Sequence, residues 1–427
     1  MERLMQYVWQ HRLWSQQDLR TVDGRRLQII DPGQLNTNSG PDFFNAKVKI
    51  EGELWAGNIE LHVRASDWYR HNHDKDKSYD SVILHVVDKD DSPVYRSNGE
   101  LIPQLCMTCS PDFHRHYASL VNNSNSELPC ASEIASLSSM HLTDWISTLT
   151  YERLHRKVEH INTLLTRFAG DWEEVCYITF ARSLGFGVNS EVFERLAMNM
   201  PLRFMRKHSD SLLSIEALLL GQSGLLSKTS ADNVYSQSLK TEYQFLSNKF
   251  SLTPIDASQW RMARMRPYNF PHRRIALLAQ LIYDGFRLMS QIIEAKTEDA
   301  IRLIFRKELT GYWANHFTWD TIDGRSSKAL SETSITTILI NTVVPLLYAY
   351  GLTCDNDELI DRATMLLQTL PSEKNSIVEL FTRAGIKSPD AFTSQALIQL
   401  RREYCETRKC LYCRIGHRML STKAKRQ

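Results

Sequence analysis

The 427-residue chain is poor in the features that usually disclose a function at sight. Glycine (17) and proline (13) are sparse and no segment recurs at a fixed period, which excludes collagen-like and low-complexity chains. Charge of one sign is missing too: 51 basic side chains oppose 49 acidic ones, a net of +2. No global field therefore selects nucleic acid or an anionic membrane, and any basic surface must be local. Met1–Trp14 lacks the apolar stretch of a signal peptide, so a cytoplasmic protein is expected. Cysteine, at eight residues, is too thin for a disulfide scaffold and is expected to stay reduced. Long apolar runs are confined to Ile335–Leu352, which holds Asn341, Pro345 and three threonines and has no flanking Lys/Arg cluster. It reads as a buried core helix, not a membrane span.

What remains is an ordinary globular composition, 42% hydrophobic and 23% charged. At roughly 100–200 residues per domain it fills two or three domains, and a core of that size needs no metal or disulfide for bulk stability. Met1–Trp14 predicts a helix with Leu4 and Val8 inward. Strand-like runs follow at Leu27–Ile30, Ala46–Ile50, Leu54–Val63 and Val82–Val87, separated by turn residues. Past the polar loop Asn122–Pro129 the apolar period changes from 2 to 3.6. Leu154, Val158, Ile161, Leu165 and Phe168 form one stripe, and Ile275, Leu278, Ile282, Phe286, Met289 and Ile293 another. More helices are expected after Asn189, Ser211, Thr297 and Ser331. The expected architecture is α+β: a mixed-sheet domain over residues 1–121, a linker over 122–136 and a large all-helical domain over 137–427.

The densest polar region is Gly40–Val87. A hairpin of Asp42–Ile50 and Leu54–Val63 around the three-residue loop Glu51-Gly52-Glu53 sets Ile50 opposite Leu54 and Asp42 opposite His62. Alternation then puts Asp42, Phe44, Ala46, Val48 and Ile50 on one face beside Glu60 and His62, leaving Trp55, Ile59, Leu61 and Val63 to pack on a helix. A one-residue slip would part Asp42 from Glu60. Carboxylates so placed suit Mg²⁺ or Mn²⁺, which activates water and neutralises phosphodiester charge. Pro41-Asp42 followed by Glu60-Leu61-His62 resembles the PD-(D/E)xK nuclease superfamily, and on that resemblance the sheet domain would be restriction-endonuclease-like. There the Asp and Glu hold the metal and a final Lys orients water or stabilises the phosphate. His62 stands where Lys is usual, so it would serve as ligand or base and not as a fixed positive charge. The catalytic candidates are Asp42, Glu60 and His62. The plain structural alternative is a turn-capping Asp42 with Glu60 and His62 on a solvated strand.

Asp67, His71, His73, Asp74, Asp76, Asp80 and His85 crowd the next stretch. Candidate metal ligands are thus Asp42, Glu60, His71, His73 and His85. A transition-metal set of His62, His71, His73 and His85 is a second reading. Against it stand a solvated loop at Asn72–Ser78 and a hydrogen-bonded core histidine at His85.

Trp260–Arg274 holds five arginines among aromatics. Arg261, Arg264, Arg266, Arg273 and Arg274 are candidate phosphate contacts, with nucleic acid as the partner; an inter-domain connection explains the segment equally well. Near the C-terminus Cys405, Cys410, Cys413 and His417 form C-x₄-C-x₂-C-x₃-H, a tetrahedral set for structural zinc, with an iron–sulfur cluster ranked behind it. A helix with one half-buried cysteine face is the alternative. Cys106 and Cys109 form a second C-x₂-C.

GPDFFNAKVKI, LWAGNIELHVRASDWYRHNHDKDKSYDSVILHVV, WRMARMRPYNFPHRR, INTVVPLLYAYG and KCLYCRIGH together resemble an uncharacterised bacterial family, domain of unknown function 2851. Matching positions include Asp42, Glu60, His62, Asp67, His71, His73, Asp80, His85, Arg264, Arg266, Cys410 and Cys413. The resemblance implies identity without an activity. Three functions stay open: a metal-dependent nuclease or phosphodiesterase, a non-catalytic nucleic-acid- or protein-binding scaffold, and a hydrolase with a His-rich metal centre.

Overall fold

A computed structural model describes residues 2–14, 16–36, 39–108, 117–118, 127–134, 137–228, 233–262, 269–322 and 329–424. The expected α+β architecture is observed. The chain divides into two compact units. One comprises Met1–Leu142, Arg383–Ile386 and Leu400–Gln427, the other Thr143–Thr382 and Lys387–Gln399. The linker expected over 122–136 lies in part outside the described residues, and the division falls at Leu142/Thr143. The C-terminal segment, read from sequence as part of the helical domain, groups with the sheet because Leu411 and Leu420 are buried in the sheet's own core.

The first unit begins with α1 (Glu2–Gln10), whose Leu4, Met5, Tyr7, Val8 and Trp9 are buried. Its strands are β1 (Leu27–Asp31), β2 (Gln34–Leu35), β3 (Phe43–Ile50), β4 (Glu53–Arg64), β5 (Val82–Lys89) and β6 (Gln104–Cys106). They lie in the order β1-β3-β4-β5-β6, with β2 beside β3. The β1–β3 and β3–β4 ladders are antiparallel, while β4–β5 and β5–β6 are parallel. The short helix α2 (Asp67–Arg70) and two 3₁₀ turns fill the crossover from β4 to β5. The two-residue β2 and three-residue β6 carry too little pattern for sequence to reveal.

The β3–β4 register is set by two offsets. Ile50 pairs with Glu53, not Leu54, because the turn has two residues, Glu51 (φ 49°) and Gly52 (φ 88°). Positive φ at both positions is the turn whose twist matches a right-twisted hairpin. A bulge between Phe43 and Ala46 moves the ladder by one more residue, so Phe43 pairs with Ile59. Asp42 therefore meets Glu60 and not His62. The first offset also corrects the expected faces. Ala46, Val48 and Ile50 join Ile59 and Leu61 in the core packed on α1, and the bulge takes Phe44 out of that row. Glu60 and His62 are left on the opposite face, where β5 supplies His85 directly beside Glu60.

The second unit is helical among its described residues. Ser211, Thr297 and Ser331 cap helices through side-chain oxygens, as their positions suggested. The stripe from Ile275 to Ile293 is split into Pro271–Tyr283 and Leu288–Glu294 by a turn at Gly285 (φ 85°), and Ile292 replaces Ile293 in the core. Glu332–Thr353 is long and apolar enough to cross a membrane, but 72% of its apolar window is buried inside the protein. A π turn at Leu339–Val343 precedes Pro345, widening the helix where the ring would otherwise meet the preceding turn.

Asn45 carries the bulge at φ 55°. A β-branched residue there is forced into the left-handed region, so Asn45→Val is expected to lower stability by about 1–2 kcal/mol. Asn45→Gly should stay within a few tenths of wild type. Urea unfolding of the two variants separates them, and equal midpoints would contradict the bulge.

A candidate metal centre

The crossover between β4 and β5 closes a loop of histidines over Glu60. His71 caps α2, its N–H donating to the Asp67 carbonyl, and Asp67 in turn accepts the Arg64 N–H at 3.1 Å through its side chain. Asn72 is left-handed (φ 62°), a conformation Asn tolerates, and this reversal lets His71 and His73 both reach back to β4. His85 arrives from β5 by parallel pairing with Glu60. Four imidazoles and one carboxylate, scattered over 26 positions of sequence, thus converge.

The distances are those of a ligand set. His62 Nε2 lies 3.1 Å from His71 Nδ1 and 3.6 Å from Glu60 Oε1. His73 Nε2 lies 3.4 Å from Glu60 Oε1. One ligand atom from each of His62, His71 and His73 falls within 4.8 Å of the others. A tetrahedral ion with bonds of about 2.0–2.1 Å needs its donors about 3.3 Å apart, close to the His62–His71, His62–Glu60 and His73–Glu60 separations. His62, His73 and Glu60 are buried and His71 is exposed, so the group opens to solvent on one side.

Electrostatics agree with this reading. Burial, with the neighbouring histidines adding to it, drives His62 down to about 2. Burial drives His85 down to about 3 and lowers His73 as well. These imidazoles are neutral at pH 7, the state in which imidazole binds a metal. Burial raises Glu60 above the ordinary carboxylate range, and burial together with the Glu60 charge raises Asp42. A cation among these groups would restore the ionised form of Glu60.

Asp42 and His85 stand one layer back from the donors. Asp42 N–H donates to Glu60 Oε2 at 3.0 Å, while its Oδ2 accepts the Leu61 N–H at 3.0 Å and its Oδ1 accepts Gln6 Nε2 at 2.9 Å. Both Asp42 oxygens are thus engaged, Oδ2 by the segment that carries Glu60 and Oδ1 by α1. His85 Nε2 lies 2.8 Å from His62 Nδ1, holding the His62 ring so that Nε2 faces the other donors. The remaining His85 nitrogen, Nδ1, is buried without a hydrogen-bond partner. Trp68 and Tyr79 wall the group, with Tyr79 stacked on His73 at 3.7 Å. Gln6 and Tyr79 were not anticipated from sequence, since nothing local in their segments points to the site.

The other candidates lie elsewhere. Asp74, Asp76 and Asp80 are partly or fully exposed, and Asp76 and Asp80 accept hydrogen bonds from Ser78 and Ser97. Arg273 and Arg274 are buried, their guanidiniums over the rings of Phe317 and Phe186, so they present no phosphate-binding surface. Arg261 is exposed, and its N–H and carbonyl are held by the Asn189 side chain. Arg264, Arg266 and Cys109 lie outside the described residues. Cys405, Cys410 and Cys413 line one small cavity, but His417 does not: its Nδ1 lies 2.5 Å from Tyr7 Oη and its ring packs on His11.

A family model described as a protein of unknown function (DUF2851) matches residues 2–376. No curated protein and no solved structure matches the chain.

Two outcomes follow from the geometry. His85→Ala should weaken Zn²⁺ binding about 10–100-fold, as loss of an orienting partner does, measured by competition with a chelating dye. In metal-free protein, folded Glu60 keeps a proton that the unfolded chain has released above its ordinary value of 4.5. Glu60's contribution to stability is therefore complete below that value and is lost as pH rises, at about 1.4 kcal/mol per unit, until the folded carboxyl ionises. His62 and His85 act oppositely, costing stability as pH falls below 6.5. The wild-type curve should thus fall relative to Glu60→Gln with rising pH. Parallel curves in urea unfolding would contradict the raised carboxyl.

Proposed function

The chain belongs to the DUF2851 family, and we propose that it is a metal-dependent hydrolase whose ion is held by His62, His71, His73 and Glu60. The observation that carries this is that one ligand atom from each of His62, His71 and His73 lies within 4.8 Å of the others, with Glu60 Oε1 3.4 Å from His73 Nε2 and 3.6 Å from His62 Nε2. Imidazole and carboxylate suit Zn²⁺, Fe²⁺, Mn²⁺, Co²⁺ or Ni²⁺ better than Mg²⁺, which prefers oxygen and water. Three neutral imidazoles and one carboxylate leave a divalent ion with one net positive charge. When bound, such an ion would lower the pKa of a bound water toward neutrality and so supply the attacking oxygen. The exposed side at His71 is where that water and a substrate would enter.

A phosphodiester, in nucleic acid or free, is the substrate class this reading adopts. Pro41-Asp42 and Glu60-Leu61-His62 stand in the order of the PD-(D/E)xK enzymes, with imidazoles in place of much of the carboxylate set. Asp42 then positions Glu60 through its N–H. Arg70, next to His71 and mostly exposed, lies close enough for its charge to lower His62. Its guanidinium pairs with Asp67 Oδ1 at 3.1 Å, and in this reading it would also meet a phosphate oxygen.

Protein stripped by chelator and reloaded with Mn²⁺, Co²⁺, Ni²⁺ or Zn²⁺ should hydrolyse bis(4-nitrophenyl) phosphate, and single-stranded or duplex nucleic acid. His73→Ala and Glu60→Gln should each reduce kcat/KM by about 10²–10⁴. Arg70→Ala should mainly raise KM. Cleavage that survives His73→Ala in a folded protein would remove this centre from the chemistry. Absence of both metal and cleavage would leave the binding-scaffold reading in its place.

A further inference from the structure

A second cluster of metal-ligand chemistry lies in the same unit and is independent of the histidine centre. Leu128, Pro129, Cys130, Tyr404, Cys405, Arg408, Cys410, Cys413 and Gly416 enclose a cavity of ≈ 20 Å³, more than one water requires. Four of these nine residues are cysteines. Three come from the C-terminal C-x₄-C-x₂-C run, and the fourth, Cys130, comes from 275 positions earlier. Spacing alone had offered His417 as the fourth ligand. Helix Arg414–Ala424 instead turns His417 toward Tyr7, and Cys130 completes the ring.

The backbone is shaped for this convergence. Gly416 sits against the Cys410 loop so tightly that an added Cβ would fall 2.1 Å from the Cys410 carbonyl oxygen. No other residue type allows the helix start and the loop to approach so closely. Arg408 shares the lining, and its charge acts on Cys410 as that of Arg401 does on Cys405, offsetting negative charge gathered in the cavity. The four thiols are within electrostatic range of one another: Cys130 is influenced by Cys410 and Cys413, and Cys405 by Cys130, Cys410 and Cys413.

We infer that Cys130, Cys405, Cys410 and Cys413 hold an iron–sulfur cluster that ties the segment at Leu128–Cys130 to the C-terminal helix. A single zinc would draw its four sulfurs to about 3.8 Å of one another, from bonds of about 2.3 Å. Among the described residues, the group of three or more ligand atoms within 4.8 Å of one another is the histidine trio. Among the described residues no three cysteine sulfurs therefore fall within 4.8 Å of one another, wider than one zinc would draw them and a span that iron bridged by sulfide fills. The largely apolar lining from Leu128, Pro129 and Tyr404 keeps water from the cluster.

The full-length protein, purified without oxygen, should contain iron and acid-labile sulfide in comparable molar amounts and absorb in the visible. Cys130→Ser and Cys413→Ser should lose at least tenfold of both, whereas His417→Ala and Cys106→Ser should retain them. Circular dichroism and Zn²⁺ binding at the histidine centre report whether each variant is folded. Zinc without sulfide would overturn the cluster. So would folded protein with neither metal, or a Cys130→Ser variant that keeps its full iron content.

Discussion

A carboxylate and four imidazoles are held together at one end of β4, largely out of water, and the charge on Glu60 governs how well that arrangement is tolerated. Without a cation, burial favours the protonated form of Glu60 and the neutral forms of His62, His73 and His85. With a divalent ion, the same desolvation becomes useful. Neutral imidazoles are ready ligands, and the carboxylate regains its charge against the metal. The sheet, the crossover and α1 can be understood as the frame that holds these groups at bonding distances.

That frame works through backbone contacts more than through side chains that meet the ion. Asp42 reaches Glu60 with its N–H and grips Leu61 with its carboxylate, while Gln6 of α1 holds Asp42. His85 holds the far nitrogen of His62. The residues that first suggested a two-carboxylate site are therefore divided in the structure, with Glu60 turned to the donors and Asp42 behind it. This division favours a transition metal over Mg²⁺.

The sequence made part of this legible. Alternation along Leu54–Val63 placed Ile59 and Leu61 against a helix and Glu60 and His62 away from it, as observed. The partner strand was harder, because a two-residue turn and a bulge at Asn45 each shift the ladder by one. The two shifts together bring Asp42 back toward Glu60, an outcome that alternation could not foresee. His71 and His73 could equally have been loop residues, since a single left-handed Asn72 decides where they point. Cys130 was invisible for a different reason. It joins Cys405, Cys410 and Cys413 only through tertiary folding, whereas His417 had the right local spacing and the wrong helical direction. In the basic segment, Arg273 and Arg274 have the composition of a surface patch and the position of core residues.

The histidine centre is the claim on which the functional reading rests, and cobalt reports on it directly. Co²⁺ added to chelator-stripped protein should give one equivalent of low-symmetry d–d absorption without a thiolate charge-transfer band, and His62→Ala with His73→Ala should abolish it. A spectrum dominated by thiolate ligation, or cobalt binding that is indifferent to both histidines, would contradict the account.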